Sequence, residues 1–292
     1  MNVLLTIPHV FAPKAGSLYS SQTEDKRSVK TAALKTATQE NVNRHSPRHY
    51  IHASLGLHKP VVTRELQSEM GVNLTIQVFT DPAATLVDQL TPCDGVQLIG
   101  ASMPDRTRMP MLASRRAIEQ AEQYDVVGYM EDDLLIEDPE FFHKIRFLAS
   151  NSGGDYAFLP HRCEQIPGQG DVILSGDPDG GRPDLFWDTG ECLSFAWPLG
   201  ERRFYRATNP HSGCYFLSRR QALCTRNFWI QQQWSSTWNL SGPLEQAGSG
   251  MLLPVLRIMK PVPEHYRFLM VRHQDSLWKR HAFETPEASS NS

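Results

Sequence analysis

An α/β architecture built on a mostly parallel central sheet flanked by helices is the fold class this sequence predicts. Two observations carry that prediction. Short β-branched runs alternate with helix-patterned segments through the first half of the 292-residue chain, the signature of βαβ units. The second half, as in GQGDVILSGDPDGGRPDLFWDTGECLSFAWPLGERRFYR, turns dense in Gly, Pro and aromatics, which predicts short strands and long loops.

The elements follow in order. Val3 to Ile7 reads as a buried first strand, and Glu24 to Asn43 as a helix whose modest apolar face is Val29, Ala32, Ala33 and Leu34. Asn73 to Asp81 is rich in β-branched residues and is stopped by Pro82; Val96 to Ser102 is another strand. Pro110 opens a helix reaching Gln123, with Leu112, Ala113, Ala117, Ile118 and Ala121 at helical spacing. YDVVGYM then gives a fourth strand, and DPEFFHKIRFLAS a helix capped by Asp138 with Pro139 at its first position. The chain is expected to form one domain over residues 1–283, with halves at about 1–137 and 138–283, and a disordered tail, Glu284 to Ser292.

Composition narrows the function classes. A hydrophobic fraction of 40% with 21% charged residues is ordinary for a globular chain, and a net charge of -3 supplies no basic field for nucleic acid or anionic lipid. The basic stretch RHSPRH, Arg44 to His49, is too short for a nucleic-acid patch. The apolar run after Met1 is too short for a secretory signal and has no basic residue ahead of it; nowhere do about 18 apolar residues run together. Five cysteines without CxxC spacing argue against a disulfide framework or zinc knuckle and predict core thiols in a reducing, cytoplasmic setting. Peripheral attachment at the inner membrane face stays open.

The chemistry concentrates in VVGYMEDDLLIEDPEFF. Glu131, Asp132 and Asp133 follow an apolar strand and precede the apolar Leu134 to Ile136, so three carboxylates stand between buried flanks. Ligands of parallel α/β sheets bind outside the carboxyl ends of the strands. Adjacent carboxylates there repel one another unless a cation compensates them, and a divalent metal is the natural partner. The alternative is an acidic turn that caps the next helix.

MEDDLLIEDPEFF resembles the DxD segment of GT-A glycosyltransferases, which use nucleotide-diphosphate sugars, and especially its EDD variant. The resemblance implies a GT-A-like, Rossmann-related fold in which Asp133 binds Mn²⁺ or Mg²⁺ through the diphosphate, with Glu131 and Asp132 near the donor's ribose or sugar. It also implies phosphate contacts from Arg115 and Arg116 in ASRRA, a donor loop at IPHVFAP (Pro8, His9), and a nucleobase contact at Asp81. SGPLEQAGSG resembles the segment that carries the catalytic base of inverting members, which assigns Glu245; a late histidine, His273 in FLMVRHQ, completes the metal sphere, with His265 as competitor. The chain departs from the common pattern in its first acid, Glu131, in Arg116 where Asn is frequent, and in a polar insertion over Asn41 to His58.

The expected activity is therefore transfer of a sugar from a nucleotide-diphosphate donor to a hydroxyl of a glycan or other acceptor, with inversion. A solvated basic face is the alternative for the two arginines, and helix-end stabilisation for Glu245. Two other functions compete: a glycoside hydrolase, whose two carboxyls must face each other across the sugar, and a noncatalytic carbohydrate-binding protein using Trp187, Trp197, Trp229, Trp234 and Trp238.

Overall fold

The computed structural model describes residues 1–13, 23–46, 49–52, 62–65, 71–166, 170–173, 190–207, 210–235 and 242–274. The strands of the first half are β1 (Asn2–His9), β2 (His49–His52), β3 (Val62–Glu65), β4 (Asn73–Thr80), β5 (Val96–Gly100), β6 (Val126–Met130) and β7 (Leu134–Leu135). Those of the second are β8 (Tyr156–Phe158), β9 (His161–Ile166), β10 (Gly170–Ile173), β11 (Cys192–Phe195), β12 (Arg202–Arg206), β13 (Cys214–Ser218), β14 (Arg257–Pro261) and β15 (Met270–His273). The α-helices are α1 (Arg27–Lys35), α2 (Asn41–His45), α3 (Met109–Glu119), α4 (Phe141–Asn151), α5 (Arg219–Gln231) and the single turn α6 (Pro243–Glu245).

The central sheet has the order β13-β6-β1-β4-β5; β6, β1, β4 and β5 run parallel, and β13 lies antiparallel against β6. The expected α/β class with a mostly parallel sheet is thus what the chain forms. Every residue of β1 from Val3 to His9 is buried, as a strand covered on both faces requires. Strand alternation sends Val3, Leu5 and Ile7 to the face covered by Leu34, Ala37, Phe141 and Ile145, and Leu4 to the face covered by Ala113, Ala117 and Ile118 of α3. Pro8 is tolerated inside a central strand because the pairing of β1 with β6 stops at Thr6, so its missing N–H breaks no rung on that side. β13 comes from the second half of the chain, so the two expected halves interleave in this one sheet. Gly128 permits that junction: a Cβ there would stand 2.6 Å from the Tyr215 carbonyl oxygen.

A second sheet, β10-β9-β15-β7, sets β15 parallel to β9 and antiparallel to β7; a third has the order β11-β12-β14-β8. Among the described residues no helix is long and apolar enough to cross a membrane. All the cysteines are free thiols; Cys163 and Cys214 are buried as expected, whereas Cys192 and Cys224 are exposed. Burial pushes the Cys163 thiol up to about 12, which suits an inert core residue.

Three helices differ from their expected form, the first of them α3, which ends at Glu119 and is followed by a separate 3-10 turn, Ala121–Gln123. The segment after Glu24 is helical to His45, but a π-helical stretch, Thr36–Glu40, lies between α1 and α2, and the Thr38 hydroxyl donates back to the Leu34 carbonyl (2.7 Å). The buried residues are Ala33, Leu34, Ala37, Thr38, Gln39, Asn41, Val42 and His45, while Val29, at 54%, and Ala32 are exposed. The helix α4 starts at Phe141, later than Pro139, because Asp138 makes a turn of its own: its carboxylate accepts from the Glu140 N–H (2.9 Å) and from Lys144 (2.6 Å). Of the polar insertion Asn41–His58, residues 41–46 and 49–52 are described; the tail from Glu284 lies outside the described residues.

The α1–α2 segment has a specific task at the sheet edge. Asn41 donates from Nδ2 to the Leu134 carbonyl (3.2 Å) and accepts at Oδ1 from the Ile136 N–H (2.9 Å), while His45 Nε2 donates to the Ile136 carbonyl (2.9 Å). These bonds hold the strand that leaves the acidic turn. Replacing Asn41 by Ala leaves the buried Ile136 N–H without an acceptor and should cost about 1–3 kcal/mol in urea unfolding, whereas Val29→Ala should stay within about 0.5 kcal/mol; equal effects would contradict this assignment of the buried face.

Candidate active site

β6 ends at Met130, and Glu131, Asp132 and Asp133 carry the chain from there into β7. The Glu131 N–H donates to the Gly213 carbonyl (2.8 Å), extending the ladder between β6 and β13, and the Gln274 N–H donates to the Asp133 carbonyl (2.8 Å). The turn is therefore pinned on both sides by backbone bonds. Glu131 and Asp133 are 7% and 8% exposed; the Asp132 side chain, at 25%, is the open one of the three.

Each acid has its own partners. His9, at the end of β1, accepts the Leu86 N–H at Nε2 (3.1 Å), so its proton sits on Nδ1, which donates to Asp132 Oδ2 (2.6 Å). Asp133 Oδ2 lies 3.4 Å from Lys30 Nζ and 3.5 Å from His273 Nε2, and the other ring nitrogen of His273 lies 2.8 Å from Glu164 Oε1. Glu131 Oε2 is 3.5 Å from Arg162 Nη1, with His211 Nε2 at 3.6 Å from its other oxygen. Asp133 Oδ1 is buried and finds no hydrogen-bond donor, a costly condition for a carboxylate oxygen.

Electrostatics follow from this packing. Burial pushes the Asp133 carboxyl up, but His273, Lys30 and Arg162 outweigh it and hold the group well below the usual carboxylate range. Burial likewise disfavours the His273 imidazolium, yet the charge of Asp133 and the hydrogen bonds to Asp133 and Glu164 raise its pKa to about 9. His211 is pushed well below the ordinary histidine value by burial and by Arg162, Lys260 and His273. Among the described residues, the four carboxylates Glu131, Asp132, Asp133 and Glu164 meet two permanent cations in ion-pair contact, Lys30 and Arg162.

The residues expected from the sequence divide clearly. Glu131, Asp132, Asp133, His9 and His273 come together. Pro8 and His9 belong to β1 itself and not to a loop after it, and both ring nitrogens of His9 are committed, one to Asp132 and one to the Leu86 N–H. Asp81, at the end of β4, accepts from Arg106 Nε (2.6 Å) and the Ala83 N–H (3.0 Å); the Arg106 guanidinium holds its carboxyl low. Arg115 and Arg116 lie on the exposed face of α3, where both pair with Glu119 (2.6 and 2.9 Å) and Arg115 covers the Trp234 ring; their side chains are not directed to the acidic turn. Among the described residues, Lys30 and Arg162 are the permanent cations in ion-pair contact with the turn.

Glu245 stands in the first turn of α6, with its carboxylate curled back over Gly242 in space that a Cβ there would occupy. The segment that continues from it packs on the motif strand: Gly248 lies beside the Tyr129 ring and His211, and the Tyr129 phenol, pushed well up by burial, is raised further by Glu131, Asp132 and Glu245. His265 instead accepts the Arg203 N–H (2.9 Å), away from the acids. The described tryptophans pack inward. Trp229 is buried and donates to the Met251 carbonyl (2.8 Å), Trp197 meets Phe147 and Phe268 edge-on, and Trp234 stacks on Trp229; Trp187 and Trp238 lie outside the described residues.

Lys30, Arg162, Glu164 and His211 are the site residues that sequence reasoning missed. Within HRCEQI, Arg162 and Glu164 are two apart and so share one face of β9, and both are buried; a strand that sends its charged residues inward is the signal that marks them.

No protein-family model matches the chain, and no curated protein matches it. Among solved structures it is similar to a crystal structure of GalNAc-T7 with UDP, GalNAc and Mn²⁺, at 11% identity and a TM-score of 0.47; the match covers 93% of this chain and 43% of that one. The likeness is distant.

Gly213 gives a direct test of the turn. Its φ of +67° lies in the left-handed region, and a Cβ would stand 3.0 Å from Glu131 Oε2 and 3.1 Å from Leu134 Cδ1. Gly213→Ala should lose at least about 1–2 kcal/mol from backbone conformation alone, read by chemical denaturation; a neutral substitution would contradict the tight closure of Gly213 on Glu131.

Proposed function

We propose that the chain is a metal-dependent glycosyltransferase of the GT-A type, a single catalytic domain over residues 1–283, that transfers a sugar from a nucleotide-diphosphate donor to an acceptor hydroxyl with inversion. The observation that carries the reading is Asp133: a buried carboxylate just beyond the carboxyl end of a parallel strand, with one oxygen lacking any donor and a histidine imidazole 3.5 Å from the other.

Among the described residues no group of three or more His, Cys, Asp or Glu side chains is arranged to hold a metal ion by itself. A cation shared with a diphosphate needs fewer protein ligands, since phosphate oxygens and water complete its sphere. The donor set fits such a site once the cation displaces the Nε2 proton of His273: the orphan oxygen of Asp133 and an imidazole whose far nitrogen is already bonded to a carboxylate. Asp133 and His273 would hold Mn²⁺ or Mg²⁺, which when bound neutralises the charge that builds on the leaving diphosphate.

The remaining roles belong to the chain's own groups. Glu131 and the more open Asp132 orient the donor, and His9 fixes the rotamer of Asp132 through its Nδ1–H. Lys30, beside Asp133, offers a second positive charge to the phosphates. Glu245 takes the proton of the acceptor hydroxyl as that oxygen attacks the anomeric carbon, and its carboxylate must swing off Gly242 to do so.

Calorimetric titration of UDP and of GDP, each with Mn²⁺ and with a chelator, tests the site. Binding should require metal in the wild type and be lost in Asp133→Ala; no metal-dependent binding of either nucleotide would refute the donor-site assignment for them. In Glu245→Gln, nucleotide binding should persist while transfer falls by about 10²–10⁴, and full transfer would remove Glu245 as the base.

A further inference from the structure

Behind His273 lies a second carboxylate that the donor site does not use. Glu164 is wholly buried, Oε1 lies 2.8 Å from His273 Nδ1, and Oε2 has no hydrogen-bond partner. The sheet order explains the alignment. β15 is hydrogen-bonded to β9 on one side and to β7 on the other, with Arg272 opposite Cys163 and His273 opposite Leu134. One step further along β9 is Glu164, and one step before Leu134 is Asp133. Three adjacent strands thus lay out a row, Glu164, His273, Asp133, with the imidazole in the middle.

We propose that Glu164 is a positioning residue that sets the His273 ring, keeping Nδ1–H toward itself and Nε2 toward Asp133; this rests on the metal reading above. A fully buried carboxylate is a poor way to stabilise a fold, since an apolar residue of similar volume is often as good or better. Behind a metal-bound histidine it has a use: it fixes ring orientation and tautomer and makes the ligating nitrogen more basic, and its loss commonly costs 10–100-fold in metal affinity. Glu164 touches neither donor nor acceptor in this arrangement. Its effect passes entirely through His273.

The test uses the full chain with Mn²⁺ and UDP, and in parallel with GDP, and reads Mn²⁺ uptake and nitrogen hyperfine coupling by electron paramagnetic resonance. In the wild type the bound Mn²⁺ should show imidazole nitrogen coupling, and His273→Ala should lose it. Glu164→Leu should bind Mn²⁺ about 10–100-fold more weakly with the coupling altered or lost. Glu164→Gln, whose amide oxygen can still accept from Nδ1–H, should lose affinity by a smaller factor, and it decides the matter if the Leu variant does not fold. Wild-type affinity and coupling in a folded Glu164 variant would overturn the positioning role while leaving the metal site standing. No Mn²⁺ uptake by the wild type with either nucleotide would overturn the metal reading, and this inference with it.

Discussion

Three carboxylates in consecutive positions, two of them buried, are the constraint around which this fold is arranged. Mutual repulsion and lost hydration both act against such a turn. The compensation comes from distant parts of the chain: Lys30 from α1, Arg162 from β9, His273 from β15, His9 from β1 and the backbone of Gly213 ahead of β13. Removing any one leaves a buried charge or dipole underserved.

The topology makes that convergence possible. β6 ends beside β1 in the parallel sheet, so His9 meets Asp132 where both strands stop. β13 returns from late in the chain to flank β6, which brings His211 and Gly213 against Glu131. The second sheet then places β15 beside the exit strand β7 and β9 beyond β15, so that His273 and Arg162 reach the same turn. The α1–α2 segment closes the assembly, with Asn41 and His45 bonded to the backbone of the exit strand. Support for the acids is therefore largely backbone and buried side chain, and Asp132, the most open of the three, and Asp133 Oδ1 keep capacity to spare.

Much of this was legible in the sequence, and the failures have physical causes. β-branched runs gave the parallel strands because central strands are buried on both faces, and the acidic run stood out because its flanks were apolar. His273 was found as the end of an apolar run. The helix face was misread at Val29 and Ala32 because a short apolar cluster does not by itself say which side packs: only Ala33 and Leu34 of that cluster join the buried stripe that continues through Ala37. Arg115 and Arg116 drew attention as a pair, yet helical geometry turns both toward Glu119. Arg162 and Glu164 were hidden for the opposite reason: a strand that buries its charges reads as polar surface until its neighbours are known. Lys30 looks like any solvated helix lysine, and only the fold brings its ammonium to Asp133.

The proposed function stands on a divalent cation held between Asp133 and His273 at the end of β6. Anomalous diffraction at the manganese edge, from crystals grown with Mn²⁺ and UDP or GDP, tests it most directly. A manganese peak in contact with the Asp133 carboxylate and His273 Nε2, shared with the diphosphate, is the predicted result. An ordered nucleotide with no metal there, or manganese bound elsewhere, would contradict it.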